Sequence, residues 1–518
     1  MSIKRRILAL TMLAALLGTA LCGCGGGSTG GELPTQPLTG EIVYGGEIAV
    51  GISQDLDESL DPHRAVAAGT KEVLFNVYEG LVKVTSDAEL VPAVAESYVV
   101  SDDKTTYTFT LREGVLFHNG NAVTAEDVVY SLLRCAGSPE EPPLVAAFSV
   151  IRSVTALDAK TVEIVLSEPN NEFLAYLTCA IIPKESDSMG TAQPPAGTGP
   201  FRYVSRSPQE NVILERFDEY WGEGAFVERV TYKIFENADA LLLALKGGSI
   251  QLCAHLTSAQ AAELAPSFNI LEGTMNLVQA VYLNNAAAPF DDENVRKAIC
   301  HAIDRDQILA FTADGRGAKV GSSMYPAFTK YFNADLVDAY PHDIDKAKAY
   351  LAAAGYGEGE LSFSITVPSN YQPHMDAAQV IAEQLRLAGI NATVDPVDWN
   401  TWLEDTYIGR NFQSTVVGVD ASSFTARAML ERFNGAADDN FINFQNAEYD
   451  AVYAKAIACT DEAEQIALYK ELQAILSENA ANVYIQDLCD LVATAPNLKG
   501  YEFYPIYVMD MSTVHYIK

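Results

Sequence analysis

Apolar and polar residues follow two different periods along this chain, and the periods take turns. Tyr107-Thr108-Phe109-Thr110-Leu111 and Val162-Glu163-Ile164-Val165-Leu166 alternate at every second position, the pattern of strands with one face buried. Val212-Ile213-Leu214 and residues 230–235, 363–367 and 416–419 are short apolar runs that read as further strands. Between them the spacing becomes helical. Thr124-Ala125-Glu126-Asp127 opens one helix as a capping box, with Val128, Val129, Leu132 and Leu133 on its buried face. Helices over 343–354 and 375–388 end at Gly355 and Gly389, each placed just past a last turn. In the second, Ala377, Val380, Ile381 and Leu385 recur at helical spacing. Residues 461–477 carry Ile466, Tyr469, Leu472, Ile475 and Leu476 on one face. Strands alternating with helices predict an α/β architecture. No internal repeat interrupts the pattern.

The first residues obey a different logic. Lys4, Arg5 and Arg6 precede an apolar run of 16 residues from Ile7 to Cys22. That run is shorter than the roughly 20 residues a spanning helix needs, and it closes on small residues, as a secretory signal does. Leu21-Cys22-Gly23-Cys24 has the form of a lipobox, so residues 1–23 are expected to be a lipoprotein signal peptide and Cys24 the lipidated new N-terminus. Two acyl chains there would hold the protein on a membrane with no transmembrane helix. Residues 24–40 are rich in Gly, Ser, Thr and Pro and read as a flexible tether.

Charge and size narrow the function. With 34 basic and 68 acidic residues the chain carries −34; without Lys4, Arg5 and Arg6 the balance is about −37. No basic cluster follows the signal segment, which argues against nucleic-acid binding. About 480 folded residues exceed one hydrophobic core and predict two or more lobes. Six cysteines follow Cys24: Cys135, Cys179, Cys253, Cys300, Cys459 and Cys489. Export permits disulfides, and six cysteines allow 15 pairings. Most lie in apolar stretches, where a free thiol acts as a small hydrophobe, and they read as free. None stands in a CxxC or His-rich arrangement, so no metal site is expected. No nucleophile elbow or zinc-protease motif is present, and an enzyme is not expected.

Residues 91–134 read VPAVAESYVVSDDKTTYTFTLREGVLFHNGNAVTAEDVVYSLLR. This block resembles the extracytoplasmic solute-binding proteins of ABC transporters, family 5, the oligopeptide- and dipeptide-binding group. The likeness continues in order along the chain. It takes in Leu60-Asp61-Pro62-His63, Tyr78-Glu79-Gly80-Leu81-Val82, Gly197-Thr198-Gly199-Pro200-Phe201, Leu214-Glu215-Arg216 with Tyr220-Trp221-Gly222, and Leu245-Lys246-Gly247-Gly248. Asn284-Asn285, Val295-Arg296-Lys297-Ala298, Ile303-Asp304-Arg305, Ala354-Gly355-Tyr356 and Leu468-Tyr469-Lys470 complete it. Most of these motifs have structural readings. The glycines are turn residues, Asp304-Arg305 is an ion pair or helix cap, and Tyr220 and Trp221 pack a lobe.

The resemblance implies a bilobal periplasmic-binding-protein-like fold of type II, with an extra inserted subdomain and a hinge between lobes. Lobe I would comprise residues 41–79, 184–285 and 496–518, the inserted subdomain 80–183, and lobe II 286–495. Such a protein captures a short peptide, or a similar amine-bearing solute, in the interlobe cleft and hands it to the transmembrane subunits of an ABC permease. It would act as a monomer and without a cofactor. Asp420, in Val417-Gly418-Val419-Asp420, matches the acidic position that holds a peptide's α-ammonium. Its competing role is to cap the next helix through Ser422 and Ser423. Val417 stands where the family usually has Trp, and residues 411–415 lack the Arg some oligopeptide binders place there. Trp399 resembles an aromatic lining a side-chain pocket, with lobe packing as its alternative. His374, expected just before the helix at 375–388, matches a His that can approach a peptide carboxylate, or is a surface cap. Backbone groups around Ala67 and Val278 would add strand-like hydrogen bonds to an extended ligand. Relatives with other cargo make a nickel complex, haem or an oligosaccharide the alternative ligand. A sensory receptor and, remotely, a cell-surface hydrolase are the alternative roles.

Overall fold

Thr106–Leu111 and Thr161–Leu166 form the strands their alternation predicts, and they pair antiparallel with Phe109 opposite Val162. The structure is a computed structural model. It describes residues 40–518 apart from 54, 58, 66–67, 139–140, 185–194, 236, 370 and 422–423. The two strands are the middle of a four-stranded sheet flanked by Ala95–Val100 and Ile151–Ala156. The helix Ala125–Ala136 covers it, placing Val128, Leu132 and Cys135 among Phe109, Phe148 and Phe173. Its capping box is present, with Thr124 and Asp127 exchanging side-chain and backbone bonds.

A seven-stranded mixed sheet runs in the order Asn269–Thr274, Cys489–Thr494, Leu252–Cys253, Glu47–Ile52, Arg229–Ile234, Asn211–Arg216 and Phe201–Ser207. A six-stranded sheet runs Ala318–Lys319, Asn482–Asp487, Leu277–Leu283, Ser414–Asp420, Leu361–Pro368 and Ile390–Val397. Its last two strands are parallel, and the helix Gln372–Leu387 makes the crossover that parallel strands need. Both faces of this sheet are covered. Along Leu277–Leu283, Val278, Ala280 and Tyr282 enter one core while Val281 and Leu283 enter another. The mixed α/β architecture is the one the alternating periods predict. Helix ends also fall where sequence punctuation sets them: Asp304, Asp343 and Asp461 accept from the third residue beyond, and Gly355 and Gly389 take φ of +86° and +80°.

The chain passes from the seven-stranded to the six-stranded sheet through Met275 and Asn276, and returns through Leu488. The two joints touch, with Met275 N–H donating to the Leu488 carbonyl at 2.8 Å. These crossings precede the boundaries expected at 285 and 495. The apolar run 277–283 belongs to the second sheet, and Asn284-Asn285 marks a strand end: Asn284 donates to Phe412 O and Asn285 to Ala481 O. Ile42–Val43 pairs with His515–Ile517, and this joins the start of the described chain to a C-terminal segment whose Val514 and Tyr516 pack on the core of the seven-stranded sheet.

The motifs of the first half converge on one carboxylate. Glu79 is buried and accepts from Tyr220 Oη and Trp221 Nε1, each at 2.7 Å, and from Thr198 Oγ1 at 3.2 Å. A Cβ on Gly197 would stand 1.9 Å from Val77 O, so only glycine permits that approach. These residues brace the scaffold, as their structural reading expects. Among the described residues no helix is long and apolar enough to cross a membrane.

Candidate ligand-binding seam

The two crossings and the C-terminal loop around 501–510 define a seam between the large sheets. Asp487 closes the strand Asn482–Asp487, all six residues of which are buried. Its Oδ1 accepts from Leu277 N–H at 3.2 Å, and its Oδ2 has no hydrogen-bond partner among the described residues. Burial pushes its carboxyl up to about 8, against backbone donors from Leu277 and Asn276 that favour the charged form. Folding therefore takes up a proton here. The stability this site contributes falls as pH rises from about 4, where the unfolded carboxyl ionises, to about 8. Asp487→Asn is expected to stabilise the protein by about 1–2 kcal/mol at pH 8, after allowing for one unpaired amide donor, and by nothing at pH 5. Urea denaturation at the two pH values measures the difference.

On the six-stranded side, Asp420 ends the strand Ser414–Asp420 opposite Leu277, with its side chain exposed. The phenol of Tyr325 is buried and held far above its ordinary range, first by burial and then by the charges of Asp420 and Asp487. Tyr325 also reaches across the seam, its Oη 3.4 Å from Pro505 O. Phe328 lies on Phe424 with ring centres 4.9 Å apart. Trp399 stacks on Trp402 at 5.1 Å and meets Tyr371 edge-on at 5.5 Å. Trp402 is buried and donates Nε1–H to Thr415, while Trp399 keeps 37% of its surface exposed. One ring is anchored so that its neighbour can present a face.

The opposite wall comes from the seven-stranded side. Asn276 donates its amide to Tyr504 O. His255 stands between Asp490, 3.0 Å from Nδ1, and Glu72, 2.9 Å from Nε2, and stacks on Tyr507. Glu72, His255, Asn276, Asp490, Tyr504 and Tyr507 line a space of about 20 Å³, room for one water. Along this seam the charges are mostly carboxylates and the walls mostly aromatic. That combination suits a ligand bearing a positive group and a flat or apolar side chain.

The residues singled out in the sequence meet different fates here. Asp420 and Trp399 occupy the same side of the seam, on the strand end and the short helix Trp399–Thr401. The helix after Asp420 is Ala426–Glu431, and its cap is Thr425, which accepts from Ala428 N–H; the capping role expected for Asp420 is filled by another residue. Ser422 and Ser423 lie outside the described residues, as do Ala67 and Cys24.

His374 differs from expectation. The helix starts earlier, at Gln372, because Pro373 is tolerated in a first turn, and this carries His374 into the helix and under the sheet. Nε2 accepts from Gly418 N–H at 3.1 Å and Nδ1 lies 2.9 Å from the Gln279 amide. Burial brings its ring down to about 4, so it is neutral at physiological pH and braces the strand instead of meeting a carboxylate. Val278 is fully buried, and its strand pairs with Ser414–Asp420 on one side and, from Gln279, with Asn482–Asp487 on the other. The backbone bonds expected for a ligand are spent within the sheet.

Asp487, Tyr325 and the tyrosines of the C-terminal loop belong to none of the sequence motifs. The one sequence signal for Asp487 is an acid closing a run of strand residues, Val483-Tyr484-Ile485-Gln486-Asp487, that is otherwise free of charge.

The model of bacterial extracellular solute-binding proteins, family 5, matches residues 89–441. Heme-binding protein A of Haemophilus influenzae is 28% identical over 464 residues, covering 82% of this chain and 84% of its own. Oligopeptide-binding protein AppA of Bacillus subtilis is 26% identical with 97% of each chain covered. Among solved structures, the periplasmic binding protein DppA of Helicobacter pylori in complex with the peptide STSA superposes with a TM-score of 0.80. It is 26% identical and covers 92% of this chain and 99% of its own.

Proposed function

The chain belongs to the bacterial extracellular solute-binding proteins of family 5, and from that membership we propose that it captures short peptides, or similar amine-bearing solutes, for an ABC importer. Members of the family bind solutes and do not transform them, so the protein is not an enzyme. The observation that carries the choice of cargo is the exposed Asp420 carboxylate at a strand end, on the side of the seam that also presents the face of Trp399. A peptide's ammonium would pair with Asp420 and a side chain would lie on Trp399. The similarity to a peptide-bound DppA supports the reading. Haem is the second reading, supported by the similarity to a heme-binding protein.

In this proposal the lobes expected as 41–79 with 184–285 and 496–518, and as 286–495, turn about the joints at 275–276 and 488, so that 277–285 moves with the second lobe and 489–495 with the first. The region 80–183 is the inserted subdomain. Closing on a solute shifts an open–closed equilibrium, and the permease reads the closed form. The protein acts as a monomer held to the outer face of the membrane by lipid on Cys24.

Mass spectrometry of solute carried through native purification identifies the cargo. Calorimetry then tests the contact: Asp420→Ala should weaken a peptide about 30-fold, and N-acetylation of the peptide should do the same to the wild type. Equal binding of the acetylated peptide removes Asp420 from the site. A copurified haem or metal complex would replace the peptide and leave the receptor.

A further inference from the structure

Outside the residues assigned to the seam, polar and sulfur-bearing side chains form a separate cluster around His63, Cys135 and Cys179. Cys135 is buried in the last turn of the helix Ala125–Ala136, and Cys179 follows the short helix Phe173–Tyr176 with part of its surface exposed. Although 44 positions separate them in sequence, their Sγ atoms are 3.3 Å apart. His63 completes the group, and its ring nitrogen and both sulfurs lie within 4.8 Å of one another.

The hydrogen bonds around His63 decide what the cluster can hold. Nε2 is 2.8 Å from the carbonyl of Ala180, which can only accept, so Nε2 carries the proton. Nδ1 then offers a lone pair, and the Arg134 guanidinium donates to it at 2.6 Å. Arg134 is fixed in turn by both oxygens of the buried Asp61 carboxylate. A metal ion would need the same lone pair and would sit against a guanidinium. That counts against a three-ligand site for a cation. The positive charge favours a thiolate instead. The Cys135 thiol is drawn down to about 6, first by its hydrogen bond with Cys179 and further by the charge of Arg134, against burial, which raises it.

We propose that Cys135 and Cys179 are an oxidisable pair that closes to an intramolecular disulfide by exchange with a disulfide-bearing oxidant outside the cytoplasm. One thiol of the pair, as its thiolate, attacks the external disulfide, forming a mixed disulfide and releasing one external thiolate that takes up a proton. The thiolate of the other then attacks the protein sulfur of that mixed disulfide, the bond to the external group breaks, and that group leaves as a thiolate that takes up a proton. Two thiols of the protein are oxidised and one external disulfide becomes two thiols. The bond would tie the helix Ala125–Ala136 to the segment that carries Glu172 and Tyr176 towards the other half of the molecule.

The full chain, purified without reductant, treated with oxidised glutathione and alkylated under denaturing conditions, is digested and mapped. The expected result is one linked pair of peptides containing Cys135 and Cys179, lighter by two hydrogens than the reduced pair, with Cys253, Cys300, Cys459 and Cys489 alkylated. Reduction should lower Tm by about 3–5 °C in the wild type, and by nothing in the double variant Cys135→Ser, Cys179→Ser. Alkylation of both cysteines after the oxidant overturns the proposal. So does protection of both by stoichiometric zinc that a chelator removes.

Discussion

Glu172→Ala is expected to weaken solute binding about 100-fold while leaving the solute's own contacts in place. Glu172 precedes Phe173 and Tyr176, which pack in the core of the four-stranded sheet. Its carboxylate leaves that core and ends in another. Oε1 accepts from Ala426 N–H at 2.7 Å, and Oε2 from Arg427 N–H at 3.1 Å and from Tyr469 Oη at 2.7 Å. Ala426 and Arg427 open a helix whose cap, Thr425, meets Tyr176 Oη at 3.0 Å. Asn171 adds a bond to the Cys459 carbonyl at 2.9 Å. Burial raises the Glu172 carboxyl, and the three donors oppose that rise. Removing one side of a buried, fully paired charge costs about 3–5 kcal/mol, because the donors left behind lose water and partner together.

Where that cost appears depends on what the contact joins. Glu172 bridges two cores that each have apolar support of their own, so the loss should fall on the closed arrangement rather than on either core. Calorimetry should therefore show the lost affinity, and small-angle scattering a larger radius of gyration with solute present. Glu172→Gln keeps one acceptor and should lose about 10-fold. If Glu172→Ala lowers Tm by many degrees with affinity unchanged, the contact holds the fold and has no part in closure.

The sequence made the elements and the family legible, and it did so for local reasons. Thr124 with Asp127, Asp304 with Gln307, and Gly389 after Leu387 act within a few residues, so their roles can be read from spacing alone. The Tyr-Glu-Gly-Leu-Val and Gly-Thr-Gly-Pro-Phe motifs were visible, but their meeting at Glu79 was not, because 119 positions separate Glu79 from Thr198. The same holds for the candidate site. Asp420 and Trp399 are candidates that position within a pattern picks out. Tyr325 and Glu172 have no local mark, and Asp487 only the uncharged strand run before it, since each owes its character to burial by distant segments. His374 shows the opposite error. An isolated His before an amphipathic helix reads as surface, and only the start at Gln372 brings it beneath Gly418. Val278 shows the limit of a period-two pattern, which identifies a strand without telling whether its edges are free.

His255→Ala should destabilise the protein by about 3–5 kcal/mol at pH 6, and by progressively less as the pH is raised. The ring lies between Glu72 and Asp490, both carboxylates almost wholly buried, and under the ring of Tyr507 at 4.9 Å. Burial alone would drive its proton off. The charges and hydrogen bonds of Asp490 and Glu72 outweigh burial and hold the imidazolium well above its ordinary range. A group that binds its proton more tightly when folded stabilises the fold fully below its unfolded value of about 6.5, and the contribution is lost as pH rises through the folded value. Alanine leaves two like charges facing each other with nothing between them. His255→Gln returns hydrogen bonds without charge and should recover less than half of the loss. The three segments pinned by this ring are the helix Ala68–Leu74, the strand after the returning joint and the C-terminal loop, so its loss loosens one wall of the seam at three points. Thermal and urea denaturation of wild type and both variants between pH 6 and pH 10 supply the test. A difference that stays constant across that range means that the stacked ring, and not its charge, supplies the stability.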